Sequence, residues 1–172
     1  LPTFASISET LRRGDIALIG LSTAIPTGPF MATGRLGADQ LLRLDATLSQ
    51  LRNEGLFRVV LLHHPPLSGG RDRFKRLIDA GAFRQVLRER GAELVLHGHA
   101  HTRSLVWLDG PERKIPTVGV PSASASTALD VERGGYNLYR IEGGRCEMES
   151  RSYEPGDGGI VTTATTDLAH AP

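Results

Sequence analysis

Three short apolar runs separated by two segments of helical period constrain this chain more than any other feature. The runs are "DIALIGL" at 15–21, "LFRVVLL" at 56–62 and "ELVLH" at 93–97. Each has the length of a strand buried on both faces. Between the first two, Leu41, Leu44, Leu48 and Leu51 recur at spacings of three and four and mark one helix face. That spacing predicts a helix capped by Asp39 at its start, with Gly55 just past its end. Residues 71–90 read as a second helix, broken at Gly81 and ended by Gly91. Residues 22–36, rich in Thr, Pro and Gly, read as a loop. The order strand, helix, strand, helix, strand predicts a parallel sheet with right-handed crossovers. Ligands of such sheets gather beyond the carboxyl ends of the strands.

The texture changes after residue 101. "TRSLVWLDG", "KIPTVGV", "GYNLYRIE" and "RCEMESRSYE" are strand-like, separated by turns such as "DGPERK" and "EGGR". They read as antiparallel strands. The stretch 155–172 reads as a surface tail. Twenty Lys and Arg balance nineteen Asp and Glu, so neither a nucleic-acid polymer nor an anionic membrane is an expected partner. No apolar run approaches the roughly 18 residues of a membrane span. The single cysteine, Cys146, excludes an internal disulfide and suits a reducing compartment, so the expected location is the cytoplasm. Cys146 and Trp107 read as packing residues.

Five of the six histidines fall in two clusters. His63 and His64 follow the second apolar run and precede two prolines, which bar further strand pairing. His97, His99 and His101 follow the third run at alternate positions, with Gly98 free to turn between the first two. Both clusters are therefore expected on one rim of the sheet. Imidazole is the commonest metal-binding side chain. On spacing alone a His97, His99, His101 array on one strand face stays open. The seven basic side chains of 71–90 read mainly as a solvated helix face. Arg71, just after the His-Pro loop, is the exception that could contact substrate.

"VVLLHHPP" followed by "LVLHGHAH" resembles the calcineurin-like metallophosphoesterases, in which one strand ends in His-x-Pro and a later one in Gly-His-x-His. "GDIALIGLSTA" and "GRLGADQLLRLDATLSQL" are similar to the family's preceding strand and helix. The resemblance covers roughly residues 14–153. It implies an α/β fold: the C-terminal half of a four-layer α/β/β/α sandwich, with a mixed sheet, helices on one face and late antiparallel strands. It implies two divalent or Fe-, Mn- or Zn-type metal ions, with His63 and His99 on one and His101 on the other. A metal-bridging hydroxide would attack phosphorus. In the family the residue before Gly is not a ligand, so His97 is expected behind the site, while His64 lines the substrate site or packs. The branch resembled includes cyclic-nucleotide and glycerophosphodiester phosphodiesterases, which implies a small phosphodiester substrate.

The family also supplies Asp-x-His, Gly-Asp-x-x-Asp and Gly-Asn-His-Asp/Glu from its N-terminal half, and none is present. Gly14-Asp15 is followed by Ile16, Ala17 and Leu18. Asn53 and Asn137 precede no histidine. The bridging carboxylate and the general-acid histidine have no counterpart, and no catalytic residue is assigned here. The expectation is one incomplete domain over 1–172, inactive alone, with at most partial metal occupancy. It would associate with the missing half or form a homo-oligomer. Two alternatives compete: a mononuclear tris-His zinc hydrolase complete as given, and a non-catalytic interaction remnant.

Overall fold

The computed structural model describes residues 9–67, 75–125, 133–154, 156 and 159–169. Arg71 and His170 lie outside the described residues. The first sheet takes β1 (Glu9–Arg13), β2 (Ile16–Gly20), β3 (Phe57–Leu61), β4 (Leu94–His97), β5 (Ser104–Leu108) and β6 (Ile115–Gly119). Its order is β1-β2-β3-β4-β6-β5. The second sheet is antiparallel, β7 (Gly135–Glu142), β8 (Arg145–Glu154) and β9 (Gly159–Asp167). Two helices, α1 (Ala38–Asn53) and α2 (Ala80–Arg90), complete the described elements.

Side-chain alternation in the central strands builds two cores. Ala17, Ile19, Val60 and Val95 face Leu44, Leu48 and Leu51 of α1 and Phe83 and Leu87 of α2. Their neighbours Ile16, Leu18, Phe57, Val59 and Leu94 face Tyr139, Cys146 and Met148 of the second sheet. The central strands are apolar on both sides because both sides are covered. The result is a mixed α/β fold of helices, mixed sheet and antiparallel sheet, with both helices on one face as expected.

β2, β3, β4 and β6 are mutually parallel. "KIPTVGV" was expected among antiparallel strands. It forms β6, which is antiparallel to β5 and parallel to β4 because the β5–β6 hairpin folds back beside β4. β1 went unread in the sequence. It is an exposed edge strand joined to β2 by a two-residue turn, Gly14-Asp15, with Gly14 at φ +56°. Gly at the first turn position with positive φ suits a hairpin.

Three local expectations need correction. Asp39 does not cap α1; the N-cap is Gly37, and the carboxylate of Asp79 accepts from Leu36 N and Gly37 N at 2.8–3.1 Å. Gly81 does not break α2 but lies inside it, since the helix starts at Ala80. The residues just before Ala80 are drawn away from helix: Leu77 bridges Gly34, and Ile78 N donates to Gly34 O. The stretch read as a tail from 155 contains β9, which pairs along β8 with a bulge between Ser150 and Arg151. Gly55, at φ +69°, does end α1 as expected.

Among the described residues no helix is long and apolar enough to cross a membrane.

Candidate metal centre

The two histidine motifs sit at the carboxyl ends of adjacent parallel strands, and backbone hydrogen bonds lock them together. Leu62 N donates to Leu96 O at 3.1 Å, and Gly98 N donates to His63 O at 3.1 Å. β4 ends at His97, so the period-two array does not continue as a strand. His99 and His101 instead take left-handed backbone, φ +67° and +55°. Such angles are uncommon for non-glycine residues and cluster at functional sites. They swing His99 across to His63: His99 Nδ1 lies 3.0 Å from His63 Nε2.

That separation passes a simple test for shared metal ligation. Two nitrogens 3.0 Å apart, each at a bond length of about 2.1 Å, subtend about 90° at a common ion. His99 is held neutral, its pKa pushed down to about 4, first by burial and then by His64, His63, Lys75 and His101. A neutral imidazole is the form a metal takes. His99 Nε2 and His97 Nε2 are buried with no hydrogen-bond partner among the described residues. A buried polar atom left so costs roughly 1–3 kcal/mol unless something binds it. The separation of His63 Nε2 and His99 Nδ1 fits one divalent ion; the orphaned His99 Nε2 and His97 Nε2 are not part of that position, because one imidazole gives an ion a single nitrogen. No group of three or more His, Cys, Asp or Glu able to hold a metal occurs among the described residues. The tris-His array is not formed, and the exposed His101 is not gathered with His63 and His99.

His64 has a definite task. Its ring is buried, with Nδ1 2.7 Å from Thr23 Oγ1 and Nε2 3.0 Å from Ala32 O. A carbonyl accepts only, so Nε2 carries the proton and the Thr23 hydroxyl donates to Nδ1. Both nitrogens are thereby used, and the ring packs 4.3 Å, centroid to centroid, from His99. Burial lowers its pKa, with His63 adding to the effect. Gly34 leaves room for it, since a Cβ there would stand 2.3 Å from His64 Nδ1. His97 likewise needs Gly119, where a Cβ would stand 2.6 Å from its Cε1. Burial lowers the His97 pKa, and its Nδ1 lies 3.2 Å from Gly98 O.

Two participants escaped sequence reasoning. Thr23 carries no signal, because its partner His64 is 41 residues away. Glu9, on the unread β1, lines a cleft of about 520 Å³ with Ser22, His63 and His97, walled by Leu61 and Leu96.

The chain matches no family model and no curated protein sequence. Among solved structures it is similar to a dimetal phosphatase from Danio rerio, with a TM-score of 0.56 and 16% identity over 75% of this chain. The fold is that of a metallophosphoesterase. The match spans 38% of the phosphatase, so this chain covers about two fifths of that protein's length. A weaker likeness, TM-score 0.41 and 17% identity over 62% of this chain and 53% of the other, links it to Vps29 from Entamoeba histolytica complexed with Zn²⁺. On the metallophosphoesterase fold, His63, His64, His97 and His99 all stand at the carboxyl ends of β3 and β4.

Proposed function

We propose that this chain carries the histidine-bearing part of a dinuclear phosphoester hydrolase site, and that the complete centre cleaves small phosphodiesters. The observation that carries the reading is the His63–His99 pair: two imidazole nitrogens 3.0 Å apart at neighbouring strand ends of a metallophosphoesterase fold. His63 and His99 would hold one ion, and His101 would serve the second. A bound divalent ion supplies Lewis-acid stabilisation of charge developing on phosphoryl oxygens. The chain's own residues do the positioning. The left-handed turn at His99 aims its ring, burial keeps that ring neutral, and His64 fixes the flanking loop. Lys75 is close enough to His99 to act on its charge, and so favours a phosphate anion there. Carboxylate ligands are not gathered at these histidines among the described residues, and the chain by itself is expected to turn over little substrate.

The test is calorimetric titration of the chain with zinc and with manganese, repeated on His63→Ala and His99→Ala. Each variant is expected to lose at least about tenfold in affinity, in line with removing one of two ligands. Equal affinity in wild type and both variants would remove the basis of the reading. Hydrolysis of bis-aryl phosphodiester against aryl monoester, on protein that also holds the carboxylate ligands, then decides the substrate class.

A further inference from the structure

The loop that carries His99 and His101 is bent against its preference, and its two ends are fastened to different parts of the molecule. At its start, Gly98 N donates to His63 O at 3.1 Å. Ala100 N then donates back to Gly98 O at 2.8 Å, across His99 at φ +67°. A three-residue turn of that hand is rare and strained. His101, at φ +55°, adds a second left-handed residue. Such backbone persists only where the surroundings over-determine it.

The far end of the loop is Arg103, two residues past His101. Its side chain reaches from the first sheet to the second. Nη2 donates to Arg151 O at 2.8 Å and to Ser152 Oγ at 2.6 Å, and Nη1 donates to Asn137 Oδ1 at 3.2 Å. Asn137 is held in turn, since its Nδ2 donates to Tyr139 Oη at 3.1 Å. β7 and β8 thus both grip one guanidinium. Gly135 admits it, because a Cβ there would stand 2.5 Å from Arg103 Nη2. β5 begins at the next residue, but as a margin strand it pairs on one side, with β6. The guanidinium supplies a second direction of restraint. Residues 99–102 are the whole span between the Gly98 and Arg103 anchors.

We infer that Arg103 is a positioning residue for the histidine site. By fastening the loop's end to the second sheet it keeps the turn at His99 wound, and so holds the His99 ring against His63. The ligand role of those rings rests on the function proposed above. Their juxtaposition, with centroids 4.9 Å apart, does not. The second sheet thereby acts on the site through a side chain that offers a metal no lone pair.

The experiment compares wild type with Arg103→Met, Arg103→Lys and the acceptor-side double variant N137A/S152A. Leu168→Ala, in the core that includes the second sheet, controls for lost stability alone. Calorimetry reads zinc affinity, and NOEs between the His63 and His99 rings read their contact in the metal-free chain. R103M is expected to lose the NOE and to bind zinc about five- to tenfold more weakly, the scale of releasing one left-handed residue. R103K, with a single ammonium in place of a fork, should recover only part. N137A/S152A should weaken zinc in the same direction with Arg103 intact. L168A should lower Tm and leave both readouts at wild-type values. An NOE and an affinity retained in R103M overturn the inference, because the β5–β6 ladder alone would then set the loop. So does an L168A that weakens zinc as much as R103M. Should R103M fail to fold, R103K and N137A/S152A decide by the same readouts. If wild type binds no zinc and R103M still loses the NOE, the metal reading fails and the positioning role stands.

Discussion

Replacing Arg58 by methionine takes a guanidinium out of the core and leaves a carboxylate behind. Arg58 lies on β3, and only 7% of its side chain is exposed. It meets Glu93 side-on: Nε donates to Oε2 and Nη2 to Oε1, each at 2.9 Å. Its Nη1 donates to Leu48 O of α1 and Arg90 O of α2, both at 3.1 Å. One cation thus ties β3 to both helices and to the start of β4. Breaking a buried pair from one side costs about 3–5 kcal/mol, mostly because the orphaned charge stays buried. Arg113 Nη2 remains 3.5 Å from Glu93, so the lower end, about 3 kcal/mol, is expected for R58M. For a domain of this size that is a fall of roughly 6–12 °C in Tm. The double variant R58M/E93L removes the orphaned charge; it leaves the same two carbonyls without their donor as R58M does, and adds only the backbone N–H of residue 58, which loses its Glu93 acceptor, roughly 1 kcal/mol. It should be more stable than R58M alone. Urea denaturation with a two-state fit gives all three values. If the double variant is no more stable than R58M, the orphaned charge is not what sets the cost.

Other outcomes follow from the site and the second core. Thr23→Val removes the hydroxyl that donates to His64 Nδ1 and should cost about 1–2 kcal/mol, read as a lowered urea midpoint; an unchanged midpoint would show that the ring does not clamp the loop. His99 is neutral in the fold down to about pH 4 but takes a proton near 6.5 when unfolded, so its contribution is fully present above pH 6.5 and is lost as pH falls toward 4. Thermal melts should show this acid slope in the metal-free chain, flattened in His99→Gln; a slope the variant leaves untouched would contradict it. Burial pushes the Cys146 thiol up to about 11 and the Tyr139 hydroxyl up to about 12. Both raised values favour the neutral form in the fold, so stability should hold below pH 9 and decline as pH climbs through 9–12. Native Cys146 should also react with a disulfide reagent at pH 8 far more slowly than in urea, and equal rates would refute its burial.

Much of the fold was legible because period changes along the chain carry it. Leu44, Leu48 and Leu51 mark α1, and the doubly apolar runs mark β2, β3 and β4. What stayed hidden depends on partners distant in sequence. β1 is exposed at every residue and shows no alternation. β9 is Thr-rich and mostly solvated, so it reads as a tail until β8 pairs with it. The cap of α1 comes from Asp79, some forty residues on, rather than from the nearer Asp39. At the site, the pairing of His63 with His99 was visible as two motifs on one rim. The clamp on His64 was not, because Thr23 and Ala32 belong to a loop whose path no local pattern dictates.

The hairpin that places β6 between β4 and β5 has a consequence for how the site ages under fluctuation. With β6 in place, β3 and β4 each have a strand on either side, while β1 and β5 take the two margins of the sheet. Opening events begin at margins, where fewest contacts must be broken. The amides of Val60, Leu61, Val95 and Leu96 should accordingly be among the slowest in the chain to exchange with deuterium. His63 and His99 are spliced to the part of the molecule that unravels last, so the margins can fray and re-form without the two rings losing each other.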